Sequence, residues 1–220
     1  MFFSFDGLDG VGKSTQLTRF CTWLVQLGHE VVVCRDPGST ELGERLREIL
    51  LTRTSMSIGR RAEMLIYMAA RAQLVDEVIR PALAAGRIVV SDRFLLANVV
   101  YQAHAGGLDA DQVWQVGRVA VDGIEPDLVM VLDMDPHLAA ERLGRPLDRI
   151  ESRGEVFRRQ VRAGFLAEAA RQPHRIAVID AARDIETIEA EIRVIAGRVL
   201  GQRPTANATQ STAATGVNRR

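Results

Sequence analysis

The run Phe2-Phe3-Ser4-Phe5-Asp6-Gly7-Leu8-Asp9-Gly10-Val11-Gly12-Lys13-Ser14 decides the fold. Phe2–Phe5 is short and mostly apolar, the pattern of a strand buried on both faces. Gly7 to Ser14 matches GxxxxGK[ST] in full, and a helical pattern starts at Lys13. Strand, glycine-rich loop and helix in this order make an anion cradle. The glycines let the backbone curl until successive N–H groups point at phosphate oxygens. The helix N-terminus adds its partial positive charge. In such a loop the lysine reaches the β- and γ-phosphates of a nucleoside triphosphate, and the hydroxyl after it ligates Mg²⁺.

Outward from the loop, short apolar runs alternate with longer amphipathic stretches. That alternation predicts an α/β fold, a five-stranded parallel sheet flanked by helices. The candidate strands are Phe2–Phe5, Glu30–Arg35, Arg87–Ser91, Leu128–Asp133 and Arg175–Ile179. Helices are expected over Lys13–Leu27, Thr40–Leu50, Arg60–Ala85, Phe94–His104, Ala110–Val121, Pro136–Leu143, Glu155–Arg171 and Asp184–Leu200. Pro81 is expected to kink or break the third of these. Residues 1–201 read as one domain. Within it, Gly144–Gly154 carries Arg145, Arg149 and Arg153 with little aliphatic content, and reads as a short, mobile, arginine-rich lid. Gln202–Arg220 is rich in Thr, Ala and Asn and is expected to be disordered.

Composition narrows the function classes. The chain has 220 residues, 47% hydrophobic and 25% charged, enough for a core without staples. The formal net charge is zero, which argues against a general nucleic-acid binder. Its two cysteines, Cys21 and Cys34, form no CxxC, so a zinc site is not expected, and with Trp23 and Trp114 they read as packing residues. No apolar run approaches the ~20 residues of a membrane span. No basic leader precedes Phe2, and the expected location is the cytoplasm. The basic residues are nearly uniform: Lys13 is the one lysine, and the other 27 are arginine. Where arginine serves almost everywhere else, position 13 wants a compact ammonium. None of the four histidines is assigned to catalysis.

A second constellation follows the strand Arg87–Ser91. Asp92-Arg93 sits at its carboxyl end, where ligands of open α/β sheets bind. Asp92 is placed to hold Mg²⁺ or its waters, and Arg93 to hold a phosphate bidentately. The next helix sets Asn98, Tyr101 and Gln102 at i, i+3 and i+4, on one face. An earlier helix sets Tyr67 and Arg71 at i, i+4. An aromatic face with a guanidinium suits a flat base.

With these motifs in place the chain resembles the bacterial thymidylate kinases, P-loop enzymes that phosphorylate dTMP with ATP. The resemblance runs from about Phe2 to Leu200. It rests on the phosphate loop through Thr15, Arg35-Asp36-Pro37-Gly38-Ser39-Thr40, Tyr67-Met68-Ala69-Ala70-Arg71, Asp92-Arg93-Phe94, Tyr101-Gln102 and Leu147-Asp148-Arg149-Ile150-Glu151. It implies the P-loop NTPase fold, with ATP held by Gly7, Leu8, Asp9, Gly10, Val11, Gly12, Lys13, Ser14 and Thr15, and Mg²⁺ at Ser14 and Asp92. Tyr67 then looks like the ring stacked on thymine and Arg71 like the donor to a thymine carbonyl. Asn98 and Gln102 look like base-edge contacts, and Tyr101 like the ring under the sugar. Arg47 and Arg93 look like the clamp on the dTMP phosphate. Asp9 and Asp36 look like carboxylates near the sugar 3′-OH and the reacting phosphates. The family often has Glu and Gly at positions 36 and 39, and Tyr or His at position 94; here stand Asp36, Ser39 and Phe94.

Part of this family carries an arginine in the loop itself, at the position occupied here by Gly10. The missing charge is therefore expected from the lid: Arg145 and Arg149, with Arg153 third, closing over ATP as an arginine finger in cis. Asp148 and Glu151 would orient these arginines or touch Mg²⁺ through water. Adenine is expected near Ala181-Ala182-Arg183, with Arg183 stacking. A homodimer is implied by the resemblance, with Glu63–Val78 and Phe94–Val100 as its surface. Three readings compete: a kinase of another small acceptor, a P-loop switch, and a nucleotide binder without turnover. Guanine-specific Asn-Lys-x-Asp is impossible, because no lysine follows Lys13.

Overall fold

Strands β1 (Phe2–Gly7), β2 (Val31–Arg35), β3 (Ile88–Asp92), β4 (Leu128–Asp133) and β5 (Ile176–Asp180) form one parallel sheet in the order β2-β3-β1-β4-β5. They are seen in a computed structural model that describes residues 1–52, 55–143 and 148–201. The side chain of Glu151, the lid residues Gly144–Leu147 (Arg145 among them) and the tail 202–220 lie outside the described residues.

β1 is the central strand, and all six of its residues are buried. Phe3 and Phe5 meet Phe20 of helix α1 (Lys13–Gln26), with ring centroids 5.2 and 5.5 Å apart. Phe2 points to the opposite face and meets Phe94 edge-on at 4.9 Å. Alternation along one strand thus feeds two buried layers, so neither face of the run meets water. Burial of each phenylalanine is worth roughly 2–3 kcal/mol.

The chain leaves β1 for the β2 edge, returns to β3, then crosses to β4 on the far side of β1. Where the connections diverge, a crevice opens at the carboxyl ends of the strands. The register brings those ends level: Asp92 lies opposite both Phe5 and Arg35, and Gly7 opposite Leu132.

Most boundaries fall within two residues of the sequence reading. Helix α2 (Glu41–Leu51) starts where Thr40 Oγ1 accepts from the Gly43 N–H at 2.9 Å. Helix α6 (Ala110–Val121) starts where Asp109 caps Gln112. Two predicted helices are interrupted. The stretch expected over Arg60–Ala85 is α3 (Arg60–Leu74), a π turn (Val75–Ile79) and α4 (Arg80–Ala84). Pro81 lacks an N–H, and its ring would crowd the carbonyl of Glu77; the widened turn before it absorbs both demands. The stretch expected over Phe94–His104 is α5 (Leu95–Asn98) followed by a π turn (Val99–His104) that carries Tyr101 and Gln102.

Helices α7 (Pro136–Glu141), α8 (Glu155–Arg171) and α9 (Ile185–Gly201) follow, with a single 3₁₀ turn at Glu151–Arg153 before α8. One expected surface is corrected. Phe94, Leu95, Leu96, Val99 and Val100 are buried in the chain's own core, so 94–100 offers no face to a second copy. No described helix is long and apolar enough to cross a membrane.

Asp6 is the one ionisable side chain of β1. Ser4 Oγ donates to its Oδ2 at 2.7 Å, while its buried Oδ1 has no partner among the described residues. Burial pushes its carboxyl up to about 6, against the Ser4 hydrogen bond and the charges of Arg93 and Lys13. An acid raised in the folded state contributes stability at low pH that is lost as pH rises through the folded value. At roughly 1.4 kcal/mol per pKa unit the span is about 3 kcal/mol. Denaturant titrations from pH 4 to 7 should therefore show Asp6→Asn losing less stability with rising pH than the parent chain, by up to that amount.

Candidate active site

The loop after β1 curls as the glycine spacing requires, and Gly10 shows why. Its φ is +88°, and a Cβ there would lie 2.0 Å from the Ala139 carbonyl oxygen on α7. No side chain fits, so an arginine at this position would have to displace α7. Lys13, at the first turn of α1, folds its ammonium over the loop. Nζ donates to Leu8 O at 2.7 Å, Gly7 O at 3.2 Å and Asp9 Oδ1 at 3.3 Å. Burial and the nearby Arg93 charge lower its pKa, against Asp9 and Asp92.

Arg93 follows β3 with φ +68°, its N–H on Phe5 O at 2.8 Å. That turn aims the guanidinium back at the loop. Nη1 donates to Gly7 O at 2.8 Å and Nη2 to Asp9 Oδ1 at 2.6 Å, with the group 5.2 Å above the Tyr101 ring. Asp9 thus accepts from both cations. Burial alone would raise its carboxyl, but Arg93 and Lys13 hold it well below the usual carboxylate range. Asp92, Ser14 and Thr15 line the same cavity of about 440 Å³ as Gly10, Gly12 and Lys13. Asp92 Oδ1 is buried without a hydrogen-bond partner among the described residues.

A second cavity, of about 100 Å³, adjoins it. Tyr67 and Arg71 come from α3, Asn98 from α5, and Tyr101 and Gln102 from the π turn. Arg71 is 1% exposed. Its Nε donates to Asp36 Oδ2 at 2.6 Å and its Nη1 to Asn98 Oδ1 at 2.9 Å. Tyr101 is seated edge-on between Phe157 and Phe165 of α8, at 6.1 and 6.2 Å. Burial, first of all, raises both tyrosine hydroxyls above their ordinary range, so both rings stay neutral. Arg47 donates to Pro37 O at 3.0 Å. Asp9, Asp36, Arg47 and Arg93 line both cavities and form the wall between them. An anion-cradling loop on one side and an aromatic, amide-lined slot on the other meet at two arginines and two carboxylates. The arrangement suits two phosphate-bearing ligands held end to end.

The family model described as thymidylate kinase matches residues 5–192, well over half of the chain. The chain belongs to the thymidylate kinase family. It is 44% identical over 190 residues to a thymidylate kinase of Rhodopirellula baltica, covering 86% of this chain and 77% of that one. It is 45% identical over 202 residues to a thymidylate kinase of Pelotomaculum thermopropionicum, covering 90% and 94%. Among solved structures, a thymidylate kinase from Ehrlichia chaffeensis superposes with a TM-score of 0.72 at 28% identity, covering 89% of this chain and 98% of that one.

The expected residues divide between the two cavities. Asp9, Gly10, Gly12, Lys13, Ser14, Thr15, Asp92 and Arg93 line the first cavity, whereas Leu8 and Val11 turn into the core; Arg71, Tyr67, Asn98, Tyr101 and Gln102 gather at the second. Arg149 and Arg153, expected over the triphosphate, instead place Nη2 on Glu63 Oε2 at 2.6 Å each, and Arg149 Nε on Leu50 O at 2.6 Å. In this structure they therefore sit beside the second cavity. Asp148 and Ile150 of the same segment line it. Arg183 pairs with Glu191 and lines neither cavity. Three residues went unassigned in the sequence reading. Arg35, within a motif but given no role, and Arg142, at the end of α7, line the phosphate-loop cavity. Glu63 is a buried carboxylate whose pKa would rise on burial but is held down by Gln102, Arg149 and Arg153. Arg35 carried a signal in its motif and Arg142 as a cation just before the segment already marked by charge; Glu63 carried none.

Because Gly10 abuts backbone, Gly10→Ala should cost about 2 kcal/mol in stability through strain at a positive φ. It should also weaken binding of an ATP analogue; denaturant titration and calorimetry read the two effects.

Proposed function

We propose that this chain transfers the γ-phosphoryl group of ATP to dTMP, giving dTDP and ADP, with Mg²⁺ as cofactor. The observation that carries the reading is the shared wall of Asp9, Asp36, Arg47 and Arg93 between a phosphate loop and a base-sized slot. A kinase needs two such compartments with their phosphates facing; a hydrolytic switch needs one.

Phosphoryl transfer asks a protein for positioning and charge stabilisation more than for covalent chemistry. ATP lies along Gly7–Thr15, and Lys13 exchanges its loop carbonyls for the β- and γ-oxygens. Arg93 and Arg47 hold the dTMP phosphate, with Asp9 orienting Arg93 and Lys13 and reaching toward the sugar. Arg71 donates to a thymine carbonyl, Asn98 and Gln102 meet the base edge, Tyr67 covers the ring and Tyr101 packs beneath the sugar. The oxygen donors Ser14 and Asp92 fit Mg²⁺, which takes one or two protein oxygens together with substrate phosphates. Bound there, the ion would neutralise negative charge on the phosphates. The described arginines that line the phosphate-loop cavity are Arg35, Arg47, Arg93 and Arg142. Arg142 reaches it from α7, with Nη1 on Ala181 O at 3.3 Å. Arg149 and Arg153 join the phosphates on leaving Glu63, and Arg145 is a third candidate for the same role. The enzyme works as a cytoplasmic homodimer on small molecules, apart from nucleic acid and membrane.

ADP release, measured with dTMP, with dUMP and with no acceptor, tests the assignment. Release should be fastest with dTMP and close to background without acceptor. Preference for another monophosphate, or release independent of acceptor, would overturn it. In the same assay Lys13→Arg should lose on the order of 100-fold in turnover. The planar guanidinium is too large for a site where the native ammonium is 7% exposed.

A further inference from the structure

Arg71 has only hydrogen-bond donors, and the Glu63 carboxylate has only acceptors. Two amides link them. Arg71 Nη1 donates to Asn98 Oδ1 at 2.9 Å, Asn98 Nδ2 to Gln102 Oε1 at 2.7 Å, and Gln102 Nε2 to Glu63 Oε1 at 3.1 Å. With a donor fixed at one end and an acceptor at the other, neither amide can turn over without setting like groups face to face. The chain of bonds therefore has a single polarity, and the same polarity decides which amide atoms remain for a ligand.

Glu63 does not end there. Its second oxygen accepts from Arg149 and Arg153, both at 2.6 Å, and its side chain is 3% exposed. A carboxylate so buried is tolerated because cations compensate it; stripping one partner from such a group is costly. Arg153 is further seated 4.9 Å over the Phe157 ring, the ring that also packs on Tyr101.

We propose that Glu63 is a positioning residue that couples recognition of the acceptor base to the placement of the 148–153 segment. The inference rests on the second cavity being the base site. A base edge that engages Asn98 and Gln102 acts on bonds that end at Glu63. Withdrawal of Arg149 and Arg153 toward the phosphates leaves the same carboxylate with Gln102 alone. The two events share one buried charge, so each changes the free energy of the other. Coupling of this kind is reciprocal between the ligands.

Calorimetric titration of dTMP, with and without a non-hydrolysable ATP analogue and Mg²⁺, reads the coupling directly. In the parent enzyme the analogue should change the dTMP Kd by about fivefold or more. In Glu63→Gln, whose neutral amide gives the arginines no charge to hold, the ratio should fall to about one. A parent ratio near one, or a Glu63→Gln ratio equal to the parent's, would overturn the proposal. If Glu63→Gln does not fold, the double variant Arg149→Ala, Arg153→Ala is titrated instead: loss of the ratio supports the coupling and its retention refutes it. ADP release by the parent with dTMP is run in parallel. Absent turnover removes the base-site reading itself, whereas normal turnover with an unaltered ratio removes only the coupling.

Discussion

A guanidinium withdrawn from water must find a partner for nearly every N–H, and Arg71 imposes that requirement on the whole acceptor side. Asp36 supplies the charge, Asn98 an amide oxygen and Phe94 a backbone carbonyl. These partners come from the loop after β2, from α5 and from the residue before α5. One side chain therefore fixes the mutual position of segments that share no strand. The phosphate-loop side obeys a similar rule through Asp9, one of whose oxygens accepts from both Lys13 and Arg93. Charge satisfaction, added to the apolar layers on either face of β1, makes the crevice at the strand ends a defined shape instead of a general cleft.

The two demands meet because the sheet is parallel and its register level. Asp92 lies opposite both Phe5 and Arg35, so the residues just past β1, β2 and β3 reach the same small volume. Asp9, Asp36 and Arg93 are all such residues. Their spacing along the chain, more than eighty positions from Asp9 to Arg93, is set by helices and has nothing to do with chemistry. The chemistry sets only which residue follows each strand.

That division explains what could be read in advance. β1 was legible because Phe2, Phe3 and Phe5 leave a buried strand few alternatives, and the loop was legible because Gly7, Gly12, Lys13 and Ser14 stand at the spacing a phosphate cradle needs. Tyr67 with Arg71, and Asn98 with Gln102, were legible because helical spacing is local. The π turn at Val99–His104 was not, since a widened turn leaves no mark on hydrophobic periodicity. Glu63 was not, since a carboxylate in the first turn of a helix ordinarily faces water. Its burial depends on Gln102, Arg149 and Arg153, which come from two other segments. Arg149 and Arg153 stood out as candidate functional cations, but spacing cannot say which anion a cation faces.

The solitary lysine has a practical side. A chain grown on isotopically labelled lysine would carry one labelled residue, and that residue lies in the phosphate loop. Its backbone amide opens α1, and its ammonium rests on Leu8 and Gly7 carbonyls. A spectrum with a single peak would thus report the occupancy of the loop without any assignment step. Reagents that acylate ammonium groups would likewise have one side-chain target, shielded by burial in the protein described here. The near-replacement of lysine by arginine across this sequence turns its phosphate-loop ammonium into a built-in probe.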